Sequence, residues 1–370
     1  MRVDRRQFLL RKILDVRSGK SLSIVFLYLI SWIYGVLVRV RWRLYQWGIL
    51  PTKRLPLKVV SVGNMTMGGT GKTPTVEWVA RLLRDADLRV AVLSRGYRGG
   101  HEKEQGVVSD GETLLLSQAE SGDEPYLLAR RLKNIPVLVG RNRCKSGKLA
   151  DQRFHTQVAV LDDGYQHMQL ERDLNILLVD GREGFSRSRL FPLGSLREPL
   201  KGLSRADKIL ITKAECQGRV QEIEETLRKW NSHADIFYGR YLPEYLLDPM
   251  TGERDNPHTL TDKRVLAFAG LASPEYFFET LESLGANLVG EIVFPDHHQY
   301  TERDLEIIRG TMSDAEWCVT TEKDLVRMEN LNMVGLSFRV LEIRIRISNE
   351  ATFKKAILAA LNIDEAANSN

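Results

Sequence analysis

Between Gly63 and Thr73 the chain reads Gly-Asn-Met-Thr-Met-Gly-Gly-Thr-Gly-Lys-Thr, and the second half of that stretch has the chemistry of a phosphate cradle. Gly68, Gly69 and Gly71, with Thr70 between them, let backbone N–H groups wrap a β-phosphate. Lys72 can reach the β and γ oxygens, and the Thr73 hydroxyl can ligate Mg²⁺. The pattern G-x-x-x-x-G-K-[ST] is not complete, because its first glycine falls on Thr66 while Gly68 and Gly69 lie inside the loop. About 90 residues downstream, the apolar run Val158–Leu161 leads into Asp162-Asp163-Gly164, where a carboxylate holding Mg²⁺ beside a P-loop is expected. The two stretches together point to a nucleotide bound with Mg²⁺.

Three further stretches carry acids, bases or cations. Ser121-Gly-Asp-Glu-Pro-Tyr126 opens a helix with capping-box spacing, and its Asp123 is either a functional acid or a carboxylate favouring the positive helix end. Phe294-Pro-Asp-His-His-Gln-Tyr300 holds His297 and His298 in a polar loop. Phe191-Pro-Leu-Gly-Ser-Leu-Arg-Glu-Pro199 gathers Arg197 and Glu198 in a long loop, where the arginine could grip a phosphate or simply be solvated.

Taken in order, the segments at 63–74, SRGY at 94–97, VSDG at 108–111, GDEPYLLA at 122–129, LDDGYQH at 161–167, LREP at 196–199, FPDHH at 294–298 and TEKD at 321–324 resemble the tetraacyldisaccharide 4'-kinase family. The resemblance runs from about residue 20 to 330. It implies phosphoryl transfer from Mg-ATP to the 4'-hydroxyl of a tetraacylated glucosamine disaccharide 1-phosphate, a glycolipid of lipid A biosynthesis, at the cytoplasmic face of the inner membrane. Carried over residue by residue, it makes Asp123 the base on the sugar hydroxyl with His297 as its partner, and prefers His297 to His298. It also implies Gln166, Arg197 and Glu198 near the phosphates or the metal. One departure is Phe185-Ser-Arg-Ser-Arg189, where family members usually carry glycine and asparagine before the LREP segment, so no substrate contact is assigned to that loop. The competing class is a membrane-tethered P-loop ATPase that hydrolyses ATP as a switch without a lipid acceptor.

These residues need a scaffold whose strands end together. Short apolar runs at 57–62, 89–93, 135–139, 158–161, 175–179 and 208–212 alternate with amphipathic stretches, which predicts a parallel α/β sheet. After Gly71, the residues Val76, Val79, Ala80 and Leu83 recur at helical spacing, with Pro74 tolerated in the first turn. The expected fold is a P-loop NTPase-like parallel-sheet domain over 57–235, a linker with hairpin signals over 236–260, and a smaller α/β domain over 261–370. A membrane-associated helix in 1–56 precedes them.

The 370 residues, 43% hydrophobic and 27% charged, exclude a disordered chain and a polytopic membrane protein. Net charge is +5, yet residues 1–56 hold 12 Lys/Arg against Asp4 and Asp15, which leaves the other 314 residues at −5. Within that basic segment, Ser21–Val38 is uncharged over 18 residues. As a helix it spans about 27 Å, just short of the ~30 Å hydrocarbon core. Basic residues and interfacial aromatics flank it on both sides, which fits a helix lying in or dipping into an anionic cytoplasmic leaflet better than one crossing it. The alternative is a helix packed against the globular body. Nucleic acid is not an expected partner, since apolar residues separate the two basic clusters. Cys144, Cys216 and Cys318 lie far apart without metal-ligand spacing and read as reduced thiols of a cytosolic protein.

Overall fold

The computed structural model describes residues 21–185, 189–215 and 217–363. Seven basic residues before Ser21, positions 186–188 of the departing loop, and Cys216 therefore lie outside the described residues. Packing divides the chain into a larger unit, Leu27–Tyr241 with Ile345–Asn370, and a smaller one, Leu242–Arg344 with Met1–Phe26.

In the larger unit, the strands β1 (Lys58–Asn64), β2 (Val90–Ser94), β3 (Gly106–Ser109), β4 (Val137–Val139), β5 (Val158–Asp162), β6 (Leu174–Asp180), β7 (Lys208–Thr212) and the first part of β8 (Asp235–Leu247) form one sheet in the order β8-β7-β6-β1-β5-β2-β4-β3. Every pairing along it is parallel except that of β3 with β4. Strand β1 lies between β5 and β6, with Val59, Val60 and Val62 buried. That is why it reads as a continuous apolar run rather than an alternating one. Val62 pairs with Asp162 of β5, so the P-loop and the acidic pair leave the sheet at the same edge. Helices α2 (Lys72–Arg84), α3 (Asp123–Arg131), α4 (Arg143–Phe154) and α5 (Gln217–Trp230) connect the strands, following α1 (Ser21–Gln46). Val76, Val79, Ala80 and Leu83 form the buried stripe of α2.

The smaller unit pairs β10 (Arg264–Ala269), β11 (Asn287–Val293), β12 (Trp317–Thr321) and the first part of β13 (Phe338–Ile347) in the order β11-β10-β12-β13, all parallel. Helices α6 (Pro274–Ser283), α7 (Glu302–Thr311) and α8 (Glu322–Arg327) belong to it. Phe268 sits at its centre, in edge or tilted contact with Phe294, Tyr300 and Phe338.

Two expectations about organisation differ from the structure. The segment 236–260 is not a bare linker. Phe237, Gly239 and Tyr241 alternate inward along β8, and its end pairs antiparallel with β9 (Arg254–Asp255). Its Gly and Pro residues look like linker punctuation, while that two-residue alternation carries the strand. The C-terminal helix α9 (Glu350–Ala360) does not belong with 261–344. Its Phe353 is fully buried in the larger unit, stacked on Trp78 at 5.3 Å and tilted on Phe237 at 4.4 Å. Replacing Phe353 by Ala is expected to destabilise the larger unit by about 3–5 kcal/mol. Thermal unfolding followed by circular dichroism checks this, and an unchanged melting profile would detach α9 from that core.

Candidate active site

A loop that wraps an anion must turn its N–H groups inward and its carbonyls outward, and the outward carbonyls then need donors of their own. Here the donors come from the end of β7 and from the middle of β8. Lys213 Nζ donates to Gly69 O at 3.1 Å, while Thr212 Oγ1 and Tyr241 Oη each donate to Thr70 O at 3.2 Å. The Lys213 ammonium is held in turn by Asp180 at 2.6 Å, both side chains being nearly excluded from solvent. From inside, Asn64 Nδ2 donates to Thr70 Oγ1 at 2.7 Å. Gly71 has φ 73°, and a Cβ there would lie 1.4 Å from Tyr241 Oη, so this position admits only glycine.

The loop's first half is tied to the LREP segment through Met67 N to Ser195 O (2.7 Å) and Arg197 N to Met65 O (2.8 Å). The Arg197 side chain grips both oxygens of Asp163 at 2.7 and 2.9 Å, and Lys72 Nζ stands 3.8 Å from the same carboxylate. Asp163 itself has φ 51°, the left-handed turn that lets the chain double back after β5. Asp162 is buried and accepts from Ser94 Oγ at 2.7 Å. Burial first, and then the nearby Glu124 carboxylate, push its carboxyl up to about 6.

Whether Mg²⁺ fits is decided by what these side chains leave unsatisfied. Thr73 Oγ1 and Asp162 Oδ1 are both buried without a hydrogen-bond partner among the described residues. Lys72, next to Thr73, approaches Asp163, next to Asp162, so the two orphaned oxygens share one neighbourhood. A hydroxyl and a carboxylate oxygen suit a hard cation that takes its remaining ligands from phosphates and water. The described residues hold no group of three or more His, Cys, Asp or Glu arranged for a metal.

Gln166 and Glu198 are joined to each other and to the stem of the P-loop. Glu198 is 6% exposed and forms a two-point pair with Arg205 at 2.7 and 2.8 Å. Gln166 Nε2 donates to Glu198 Oε1 at 2.9 Å and to Asn64 O at 2.8 Å. Both residues therefore brace the stem of the P-loop.

Asp123 is the first residue of α3, buried to 8% exposure, and accepts from Gln118 Nε2 at 2.6 Å. His297 belongs to the smaller unit, where it has φ 58° and its Nδ1 lies 3.4 Å from Arg327 Nη2. His298 is committed elsewhere, with Nε2 on Asp304 at 3.1 Å and its ring stacked on Phe294 at 4.8 Å. Since Asp304 caps α7, His298 is part of that helix's start.

Helix α1 is fastened to the same loops. Tyr34 Oη donates to Arg197 O at 2.6 Å and Ser31 Oγ to Leu190 O at 2.9 Å, and Trp42 lies under Arg205 and Lys201 at 5.2 and 5.7 Å. Its opposite face is apolar and exposed, with Leu29, Trp32, Ile33, Leu37 and Val40 at 44–65% exposure. Residues Val25–Gln46 are long and apolar enough to cross a membrane.

Several contributors escape a reading of the sequence. Arg143, 4% exposed, donates to Asp162 O at 3.3 Å, and burial lowers it to about 10, so it remains a cation. His167 is pushed down to about 4 by burial and by Arg143, Arg172, Arg41 and Arg95, so its imidazole is neutral. Lys213, Thr212 and Ser94 offered one signal, a polar residue at the carboxyl end of an apolar run. Tyr241 offered none.

The sequence pattern of the family described as Tetraacyldisaccharide-1-P 4'-kinase matches residues 23–362. A tetraacyldisaccharide 4'-kinase of Desulfatibacillum aliphaticivorans is 41% identical over 360 residues, 95% of this chain and 97% of that protein. One of Syntrophus aciditrophicus (strain SB) is 40% identical over 352 residues, 92% and 94% of the two chains. Among solved structures, LpxK from Aquifex aeolicus in complex with ATP superposes with a TM-score of 0.72 at 34% identity, covering 91% of this chain and 98% of that one.

Because the Gly71 backbone is left-handed and its Cβ space is filled by Tyr241, Gly71→Ala is expected to cost at least tenfold in ATP affinity, about 1.4 kcal/mol, while Thr70→Ser stays near wild type. Titration with a fluorescent ATP analogue measures both. Unaltered binding by Gly71→Ala would remove this loop as the phosphate cradle.

Proposed function

We propose, for a chain that belongs to the tetraacyldisaccharide 4'-kinase family, a division of labour in which the P-loop and the acidic strand end hold Mg-ATP, Asp123 and His297 serve the acceptor hydroxyl, and α1 brings the protein to its lipid. The chain is an ATP-dependent phosphotransferase. In its reaction the 4'-hydroxyl oxygen of a tetraacyldisaccharide 1-phosphate bonds to the γ-phosphorus of ATP. The bond from that phosphorus to the β–γ bridging oxygen breaks, ADP leaves with the electron pair, and the hydroxyl proton passes to a base. The observation that carries the reading is the pair of buried oxygens without a hydrogen-bond partner among the described residues, Thr73 Oγ1 and Asp162 Oδ1, beside Lys72.

When bound there, Mg²⁺ supplies charge neutralisation for the phosphates. The chain's own residues do the rest. Lys72 and the loop N–H groups bind the β and γ oxygens and stabilise charge as the phosphoryl group moves. Arg197 holds Asp163 in place, its Nη1 shared between the two carboxylate oxygens. Glu198, neutralised by Arg205, fixes Gln166 and through it the end of β1. A sugar hydroxyl is a far weaker acid than a carboxyl, so its proton leaves late, and Asp123 orients the hydroxyl before accepting that proton. His297 supports Asp123 in that task, as the family resemblance implies.

The acceptor's acyl chains remain in a bilayer, and α1 gives the protein a way to work beside one at the cytoplasmic face of the inner membrane. Its exposed apolar stripe faces away from the contacts that tie it to Arg197 and Leu190.

Asp123→Asn and His297→Ala are each expected to lower kcat by roughly 10²–10⁴, with nucleotide affinity little changed. If the two act as a unit, the double variant is scarcely worse than the more damaged single one. Lipid recovered after incubation with isotopically labelled ATP and analysed by mass spectrometry reads the product directly. Steady ATP hydrolysis with no phosphorylated lipid would establish the switch ATPase instead. For the membrane, the pair Leu29→Glu and Leu37→Glu removes apolar burial worth roughly 1.5–3 kcal/mol per side chain. It should abolish flotation with anionic liposomes at unchanged ATP affinity, and undiminished flotation would return α1 to a packing role.

A further inference from the structure

His297 does not sit in its loop alone. Its Nδ1 faces the guanidinium of Arg327, the last residue of α8, with Nη2 at 3.4 Å. Arg327 is itself immobilised. Its side chain is 1% exposed, and Nη1 donates to Gly270 O at 2.9 Å and to Asp324 Oδ1 at 3.2 Å. Asp324, fully buried, also accepts from Gly270 N (3.1 Å), Tyr300 Oη (2.9 Å) and Thr321 Oγ1 (2.6 Å). This is a dense set of bonds around one carboxylate, and its outermost member is directed at an imidazole nitrogen.

A guanidinium has donors only and keeps its charge at any pH a protein meets. The nitrogen facing it must therefore offer a lone pair. In a neutral imidazole whose Nδ1 accepts, the proton is on Nε2. An imidazolium would instead set Nδ1–H against Arg327 N–H, two donors and two positive charges face to face. We propose that Arg327, oriented by Asp324, is a positioning residue that fixes His297 as the neutral Nε2–H tautomer, so that His297 serves as a hydrogen-bond donor and not as the base. The inference rests on the reading of His297 as a residue of the kinase site and sharpens it. With Nδ1 engaged and Nε2 already protonated, the imidazole has no lone pair for the sugar proton, which goes to Asp123. A protonated Nε2 makes the imidazole a donor for a carboxylate or phosphate oxygen.

The test is long-range ¹⁵N–¹H correlation spectroscopy of the full chain, labelled with ¹⁵N-histidine at neutral pH, with the His297 signal assigned by its loss in His297→Gln. The expected spectrum shows Nδ1 unprotonated and Nε2 protonated. In Arg327→Met the tautomers should mix and kcat should fall roughly 10–100-fold, the usual size for a residue that orients a functional histidine. KM for ATP should hold, and Arg327→Lys, which keeps a cationic donor, should recover most of the loss. A wild-type spectrum with the proton on Nδ1 overturns the proposal without requiring any variant to fold, as does an unmixed tautomer with unchanged kcat in Arg327→Met. An Nε2–H spectrum together with absent lipid phosphorylation would refute the kinase reading and leave the tautomer assignment standing. Phosphorylation with an Nδ1–H spectrum would refute the assignment alone.

Discussion

An anion cradle made of backbone depends on what holds its carbonyls away from the anion. Lys213, Thr212 and Tyr241 do this here, taking the Gly69 and Thr70 carbonyls from outside so that the loop's N–H groups remain available. The arrangement explains why the strands must end together. Thr212 closes β7 and Tyr241 lies on β8, so the clamp exists only when β7 and β8 lie parallel, as their pairing of Lys208 with Asp235 and Ile211 with Tyr238 arranges. It also explains the cost at Gly71. With Tyr241 occupying the space a side chain would need, the loop is committed to one conformation before a nucleotide arrives, and preorganisation of this kind lowers the ordering cost of binding.

Charge is organised around the same loop with one deliberate deficit. Asp180 is balanced by Lys213, Glu198 by Arg205 and Asp163 by Arg197. Asp162 has no such ion pair among the described residues. It keeps one oxygen on Ser94 and one unsatisfied, and its carboxyl is pushed up to about 6 by burial. A buried carboxylate with an unsatisfied oxygen is unfavourable, and Lys72 and Arg143 offset only part of that cost without contacting the oxygen directly. The pairs around it hold their partners too tightly to supply that contact themselves.

The functional surface therefore divides by physical task. Helix α1 combines two of these tasks, because Ser31 and Tyr34 bind the loop that carries Arg197 while Leu29, Trp32 and Leu37 stay exposed. A change in how the apolar face is seated would reach the phosphate site through Ser31, Tyr34 and Trp42, which touch Leu190, Arg197 and Arg205. In the smaller unit, Asp324 and Arg327 perform for His297 what Asp180 and Lys213 perform for the P-loop, each using a buried ion pair to direct one donor.

What the amino-acid sequence determined by itself was whatever is set by neighbours along the chain. The central strands 58–64, 158–162 and 208–212 are announced by apolar runs, α2 by the spacing of Val76, Val79 and Leu83, and the P-loop by glycines followed by Lys72 and Thr73. Asp162, Asp163 and Asp123 were legible as candidate acids because each stands at the end of such an element. Only the tertiary structure decided which partners they keep. Lys213 meets Gly69 across 144 positions and Tyr241 meets Thr70 across 171, while Glu198 pairs with Arg205 and Gln166. The first half of the segment 236–260 became a strand, and α9 joined the larger unit, for the same reason. Phe237 and Phe353 gain burial only against residues distant in sequence, and the free energy of that burial overrides the turn signals of the glycines and prolines nearby.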